Sequence, residues 1–335
     1  MRYVHLVCIL CAALTLGCQS STLTAAKLYL KQDQPEKAKD QLISALEIEP
    51  QNAEAHFLLG KIYGAEGDYE GMVRLFARSV DLGPKFEVEI EQTQHNYWAR
   101  EYNSGVSYAQ GDVPNFDKAL RGFKNATLID AERLEAWRNL AYVYYQMERV
   151  EGAIAAYEHI IAHAPDDANS LYSLGVLYLN EQRDEDAIVV LGSLVEVDPD
   201  HVEGHINRAV AQVNLEDFSG AEESYKKAIA VNPQAANPHY NLGNLYWQQK
   251  EYAKALGAYA KAVELDPADD DALYNLAITH LALEDMDSAL PLLEQLSKRM
   301  PHNAAVWREL GRIYAVKGQI EKSKNAYDRE QVLTQ

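Results

Sequence analysis

Beyond residue 18 the chain holds no cysteine; all three, Cys8, Cys11 and Cys18, lie in its first 18 residues. A disulfide framework and a cysteine-ligated zinc site are therefore excluded from the bulk of the protein. Basic side chains are also scarce: 31 lysines and arginines face 50 aspartates and glutamates, for a formal net charge of −19. A surface of that sign repels phosphate backbones, so no nucleic-acid partner is expected. Catalytic signatures are missing too. No HExxH, GxSxG, Walker-type or GxGxxG pattern occurs, and no enzyme activity, cofactor or metal is expected. His159 and His163 share a helix face without a third ligand and read as a solvated pair. The acidic run 266–271 lacks the glycine and closing glutamate of an EF-hand loop, so it reads as a turn between elements. Asn125-Ala126-Thr127 is a sequon in form only, because it falls inside a helical pattern.

What is there begins with a period. Number residues 236–269 from 1 to 34: Leu242 and Gly243 take positions 7 and 8, Tyr246 takes 11, Ala255 takes 20, Tyr259 takes 24, Ala262 takes 27 and Pro267 takes 32. Positions 4, 7, 8 and 11 form one stripe of a first helix, and 20, 24 and 27 one stripe of a second. Gly243 and Ala255 lack bulk, so the two helices can approach closely, with Tyr246 and Tyr259 filling the space around them. Lys250-Glu251 supplies a polar turn, and Pro267 ends the second helix.

The same spacing starts again at Ala53, Leu134, Ala168, Val202, Asp270 and Ala304. Position 8 holds Gly60, Ala141, Gly175, Ala209, Ala277 and Gly311; position 32 holds Pro84, Pro165, Pro199, Pro233 and Pro301. This pattern resembles the tetratricopeptide repeat, whose period is about 34 residues. The resemblance implies an all-α solenoid of about nine helix-turn-helix units in a right-handed superhelix, used as a binding scaffold.

Three stretches depart from the period. A divergent first unit counted from Gln19 places Tyr29, Ala38, Leu42, Ala45 and Pro50 at positions 11, 20, 24, 27 and 32. Residues 85–110 contain no proline and one glycine and read as one long helix. Its later part begins the third unit, which makes 87–97 an insertion; a drifted repeat and a ledge or joint for a partner are both open readings. The last unit carries Ser323 and Glu330 at positions 20 and 27 and a charged ending, as a polar cap would. The expected organisation is a leader over 1–17, two units over 18–86, the insertion over 87–97 and seven units over 98–335.

The leader has one early cation, Arg2, then an apolar run over 3–16 too short to span a bilayer comfortably. It closes Leu14-Thr15-Leu16-Gly17-Cys18, which resembles a bacterial lipobox, with Thr15 where that pattern usually has leucine. The resemblance implies acylation of Cys18 and anchoring by lipid. Gln19, rather than aspartate, follows the cysteine, which implies sorting to the outer membrane, facing the periplasm. With no flexible tether before the first unit, the array is expected to sit against the membrane.

Positions 2, 5, 6, 9, 12 and 13 of each first helix fall opposite its packing stripe. In the resembling family they line the concave face. Position 6 holds Asn103, Asn139, Asn207, Asn241 and Asn275, with Ser173 interrupting; Tyr142, Tyr145, Tyr172, Tyr240, Tyr274 and Trp247 surround them at positions 5, 9 and 12, together with Asn244 at 9. An amide side chain matches both groups of a peptide unit, and Tyr and Trp supply contact area at low entropic cost. A groove for an extended protein segment follows. Asparagine is also simply common at position 6, so that ladder is equally consistent with a structural role. The carboxylate-clamp pattern of chaperone-binding members is missing, since Tyr142 accompanies Arg138 and Tyr240 accompanies Asn244. The expected function is a non-enzymatic, lipid-anchored envelope scaffold for protein segments; the alternative is a glycan-binding or polysaccharide-export scaffold, resting on the aromatics.

Overall fold

The computed structural model describes residues 21–334. The expected leader and Cys18 lie outside the described residues. The fold is all-α, and the described residues form eighteen α-helices and no strand. Hairpin by hairpin they are α1 (Ser21–Lys31) with α2 (Pro35–Ile48), α3 (Ala53–Glu66) with α4 (Tyr69–Asp81), α5 (Glu87–Ala109) with α6 (Phe116–Ile129), and α7 (Leu134–Gln146) with α8 (Val150–His163). There follow α9 (Ala168–Asn180) with α10 (Asp184–Val197), α11 (Val202–Asn214) with α12 (Phe218–Val231), α13 (Ala236–Gln248) with α14 (Tyr252–Leu265), α15 (Asp270–Ala282) with α16 (Met286–Arg299), and α17 (Ala304–Val316) with α18 (Ile320–Thr334). Within residues 21–163, and again within 164–334, each helix packs on the next in the chain, as expected of an α-solenoid. The contacts divide the chain into two compact units, one ending at His163 and one beginning at Ala164. Nothing in the sequence marks that division, because the 34-residue period runs through it.

The hairpins close as the spacing predicts. A β-carbon on Gly243 would lie 2.6 Å from the Tyr259 ring; on Gly60 it would meet Phe76 at 2.6 Å, on Gly105 Phe123 at 2.7 Å, and on Gly175 Leu191 at 2.5 Å. Position 8 is therefore filled by the position-24 side chain of its own hairpin. The tightest crossing was not read from the sequence: a β-carbon on Gly122 would meet backbone, at 2.8 Å from the Glu101 carbonyl oxygen and 2.8 Å from the Gly105 nitrogen. Ser323, read as part of a polar outer cap, instead lies buried inside its own hairpin, its hydroxyl donating to the Gly311 carbonyl at 2.9 Å.

Position 4 has a role that its residue type hides. His56, Trp137, His205 and Trp307 each place a ring nitrogen 2.9–3.0 Å from the carbonyl six residues earlier, of Pro50, Ala131, Pro199 and Pro301 respectively. Histidine and tryptophan share this position because both can present a ring N–H to a turn carbonyl that the helices leave unpaired. His239 holds the same position, but its Nε2 is buried without a hydrogen-bond partner, and burial depresses its pKa.

The turn between the helices of a hairpin is left-handed at position 15. Asp33, Glu148, Gln182, Glu216, Lys250 and Glu284 all have φ between 57° and 62°, and only Gly67 and Gly318 are glycines there. The following N–H reaches back to the position-11 carbonyl, as from Glu251 to Tyr246 at 2.9 Å, closing the first helix. A β-carbon in this conformation costs about 1–2 kcal/mol, partly offset by the extra unfolded-state freedom of glycine, roughly 0.5–1 kcal/mol. The triple variant E216G/K250G/E284G should therefore gain about 0.5 kcal/mol per site. Urea unfolding would show a raised midpoint with unchanged slope; an unchanged or lowered midpoint would refute the argument.

The long helix departs slightly from expectation. A short 3₁₀ turn, Pro84–Phe86, precedes it, so α5 begins at Glu87 and runs 23 residues. Within 87–97 only Ile90 is buried, in a cluster with Phe57 and Phe76, while Phe86 stacks on Phe57 at 4.7 Å. Glu87, Val88, Glu89, Glu91 and Gln92 face solvent. Further along, Glu101 accepts from Tyr69 of α4 at 2.8 Å and from Asn125 of α6 at 2.9 Å. Burial alone would raise the Glu101 pKa, but those bonds and Arg100 lower it. Burial and the Glu101 bond push the Tyr69 phenol up to about 12.

Candidate functional site

The proposed groove residues fall in both units. In the first, Asn103 is exposed, and Tyr142 and Tyr145 stand 47% and 54% exposed on α7. Asn139 spends its amide internally, donating to the Tyr102 hydroxyl of the preceding hairpin at 3.1 Å and to the Glu135 carbonyl at 2.9 Å. His159 stacks on Trp137 at 3.9 Å and on His163 at 4.3 Å, and among the described residues no cluster of three potential metal ligands occurs.

In the second unit, Asn275 repeats the Asn139 arrangement. Its amide nitrogen lies 3.3 Å from the Tyr240 hydroxyl and 3.4 Å from Asn244 Oδ1. Position 6 thus reaches back to a position-5 tyrosine wherever this bridge forms. Asn241 donates to Asn237 at 2.9 Å, within its own helix. Asn207 is half-buried and makes no such bridge, and the Tyr172 ring lies 4.9 Å from His201, which caps α11. Part of the asparagine ladder therefore ties neighbouring hairpins together. Sequence spacing could place those amides on a face but could not tell which of them a neighbouring hydroxyl occupies.

Two depressions of about 240 and 230 Å³ also adjoin Trp247. Asn244, Tyr259, Asn275 and Ile278 line the first; Ile278, Leu281, Ala282, Glu309 and Arg312 line the second. Trp247 and Tyr240 are half-buried and pack on the core shared by α11–α15, and Tyr274 does so on the core of α15–α18. The Trp247 ring is further braced by Tyr252 at 4.9 Å.

Asn244 is held in one orientation. Its Oδ1 accepts from the Tyr259 hydroxyl at 2.7 Å and faces Asn275 Nδ2, so Nδ2 is the end of the amide left to donate. Burial, with the Tyr240 hydroxyl beside it, holds the Tyr259 pKa far above the usual tyrosine value. The phenol stays a neutral donor at any physiological pH. This lock, from position 24 of one helix to position 9 of its hairpin partner, was not read from the sequence. Chemically the site offers a fixed amide donor, a braced indole and an apolar floor within a few residues of one another.

Residues 23–85 and 206–270 match one tetratricopeptide repeat profile, and 108–170, 146–213, 247–296 and 280–329 match a second. The chain belongs to the tetratricopeptide repeat family. Domains of this family bind peptide or protein partners and are generally non-catalytic scaffolds. Among curated proteins the chain is similar to BBSome complex member BBS4 of Bos taurus, 27% identical over 173 residues, covering 44% of this chain and 32% of that one. It is also similar to Tetratricopeptide repeat protein 8 of Caenorhabditis elegans, 24% identical over 179 residues, covering 45% of this chain and 34% of that one. It thus spans about a third of the length of these relatives. Similar solved structures include MamA (TM-score 0.48, 23% identity, 52% of this chain and 96% of that one). PilF of Pseudomonas aeruginosa aligns with TM-score 0.48 and 20% identity over 62% of this chain and 94% of that one. YrrB, described as a tetratricopeptide repeat protein with an unusual peptide-binding site, aligns with TM-score 0.47 and 21% identity over 55% of this chain and 94% of that one.

Proposed function

We propose that this protein is a non-enzymatic, lipid-anchored scaffold of the bacterial envelope that holds an extended segment of a partner protein against the first helices of its second unit. The observation that carries the binding half is the pair of depressions flanking Trp247, with the Asn244 amide locked beside them. An extended segment advances about 3.3 Å per residue with side chains alternating. It can seat an apolar side chain against the indole and a backbone carbonyl on Asn244. A photo-crosslinking residue at position 278 should trap a defined envelope protein, while one at the exposed Val189 on α10 should not. Equal labelling from both positions would defeat the groove reading.

The anchoring half rests on the sequence Leu14-Thr15-Leu16-Gly17-Cys18. The protein made in a bacterial host should partition with outer membrane, and Cys18→Ser should leave an unprocessed or soluble form. Mass spectrometry of the mature amino terminus checks this directly: Cys18 without acyl chains would end the proposal. A second reading, glycan binding, has one observation in its favour. Tyr142 and Tyr145, three residues apart on α7, both present rings to solvent, where they could stack on a sugar. Retention by peptidoglycan fragments, lost in Y142A/Y145A, would support it.

A further inference from the structure

The groove around Trp247 is not uniform along its length. At position 5 the second unit carries Tyr172, Ile206, Tyr240 and Tyr274, then Arg308; at position 9 it carries Val176, Val210, Asn244 and Ile278, then Arg312. Both positions are neutral in four consecutive hairpins and cationic in the fifth. The change coincides with a reversal of local charge. Residues 164–303 hold 24 acidic against 9 basic side chains, whereas 304–335 hold 4 acidic against 6 basic. In a chain of net charge −19, the last hairpin is a basic island.

The geometry gives that island a focus. Glu309 lies between the two arginines, 3.4 Å from Arg308 and 3.2 Å from Arg312. Its side chain is 13% exposed, and theirs are 56% and 53% exposed. One recessed carboxylate therefore holds two outward guanidiniums in place and leaves one positive charge unbalanced. Arg312 and Glu309 share the 230 Å³ depression with Trp247, Ile278 and Leu281, so the cation and the apolar floor belong to one recess. Tyr274 marks the same edge. Burial raises its pKa, Glu309 adds to that, and Arg308 opposes it, which places both charges beside the ring.

Resting on the groove reading above, we infer that the second unit selects an extended segment bearing an acidic side chain within one to three residues of a bulky apolar one, the carboxylate on Arg308 and Arg312 and the apolar group against Trp247 and Ile278. A guanidinium pair accepts a carboxylate in a charge-assisted geometry that lysine or amide groups do not reproduce. The surrounding acidic surface adds specificity: an acidic residue seated anywhere else in the second unit meets like charge. We assign the carboxylate to a side chain rather than a chain end because Arg308 and Arg312 both stand open to solvent, and the segment can run on past them.

The test begins with a library of random 12-residue peptides displayed with blocked carboxyl ends and panned on the purified full chain. Selected sequences should carry Asp or Glu at a fixed short offset from Trp, Phe, Leu or Ile. A synthetic, amidated version should bind about ten-fold more weakly to R308Q/R312Q, the loss of a charged hydrogen-bonded contact. Replacing its acid by the amide should cost the same on wild type and almost nothing on the variant. Unfolding midpoints on the same preparations separate binding from folding, and both arginines are exposed enough for the fold to tolerate the change. Peptides that W247A abolishes but that lack an acid, or ignore R308Q/R312Q, would overturn this inference and leave the groove standing. Binding that requires a free terminal carboxylate would overturn it as well. Peptides indifferent to W247A would overturn the groove itself.

Discussion

Leucine in place of Gly122 should lower the unfolding free energy by about 3 kcal/mol or more, and in place of Gly243 by about 1–3 kcal/mol. The order follows from what each new side chain meets. At Gly243 the obstacle is the Tyr259 ring at 2.6 Å, which can tilt. At Gly122 it is backbone of the partner helix at 2.8 Å, which can yield only if the α5–α6 hairpin opens. Helix propensity pulls the other way by nearly 1 kcal/mol at both sites, and overpacking outweighs it. Gly257, in the middle of α14 with nothing within 4 Å of its would-be β-carbon, supplies the opposite sign: Gly257→Ala should stabilise by about 0.8–1 kcal/mol. Urea unfolding of the three variants checks the argument. A Gly243→Leu midpoint at or above wild type would contradict the close crossing. The damage should extend to the site, because displacing Tyr259 also removes the donor that orients Asn244.

Removing the Trp247 side chain should weaken the partner segment by about 2 kcal/mol or more, roughly 30-fold, as expected for an aromatic anchor between two depressions. Asn275→Ala should behave differently. Its amide bridges to Tyr240 and Asn244, so its loss should cost about 1 kcal/mol of stability while affinity per folded molecule changes only a few-fold. Trp247 also packs on the core, so its truncation lowers stability as well, and both quantities must come from one preparation. If Asn275→Ala cost more affinity than Trp247→Ala, the asparagine ladder rather than the indole would be the recognition element.

The sequence by itself determined the period, the helical hairpin as the unit, and a close helix approach at positions 8 and 20 with bulky side chains around it. It could do so because each hairpin touches only its neighbours. Contacts that every hairpin repeats are written into the chain every 34 residues, where residue volume alone reveals them. The small Gly243 and Ala255 with Tyr246 and Tyr259 around them are legible on that basis; that position 8 meets the position-24 ring, as Gly60 meets Phe76, is a matter of direction that the structure supplied. The tertiary structure alone decided matters that depend on direction rather than volume. The position-4 ring N–H on a turn carbonyl unites His56 and Trp137, which differ in size and polarity. The left-handed residue at position 15 is fixed by a backbone bond and leaves no preference that Glu148 or Lys250 betrays. Which asparagines bridge neighbouring hairpins depends on whether a tyrosine hydroxyl arrives from the preceding one, as at Asn139 and Asn275 but not at Asn241, which bonds within its own helix. The recess at Trp247, where a locked amide and a paired arginine meet one apolar floor, is assembled from four helices, and no single repeat contains it.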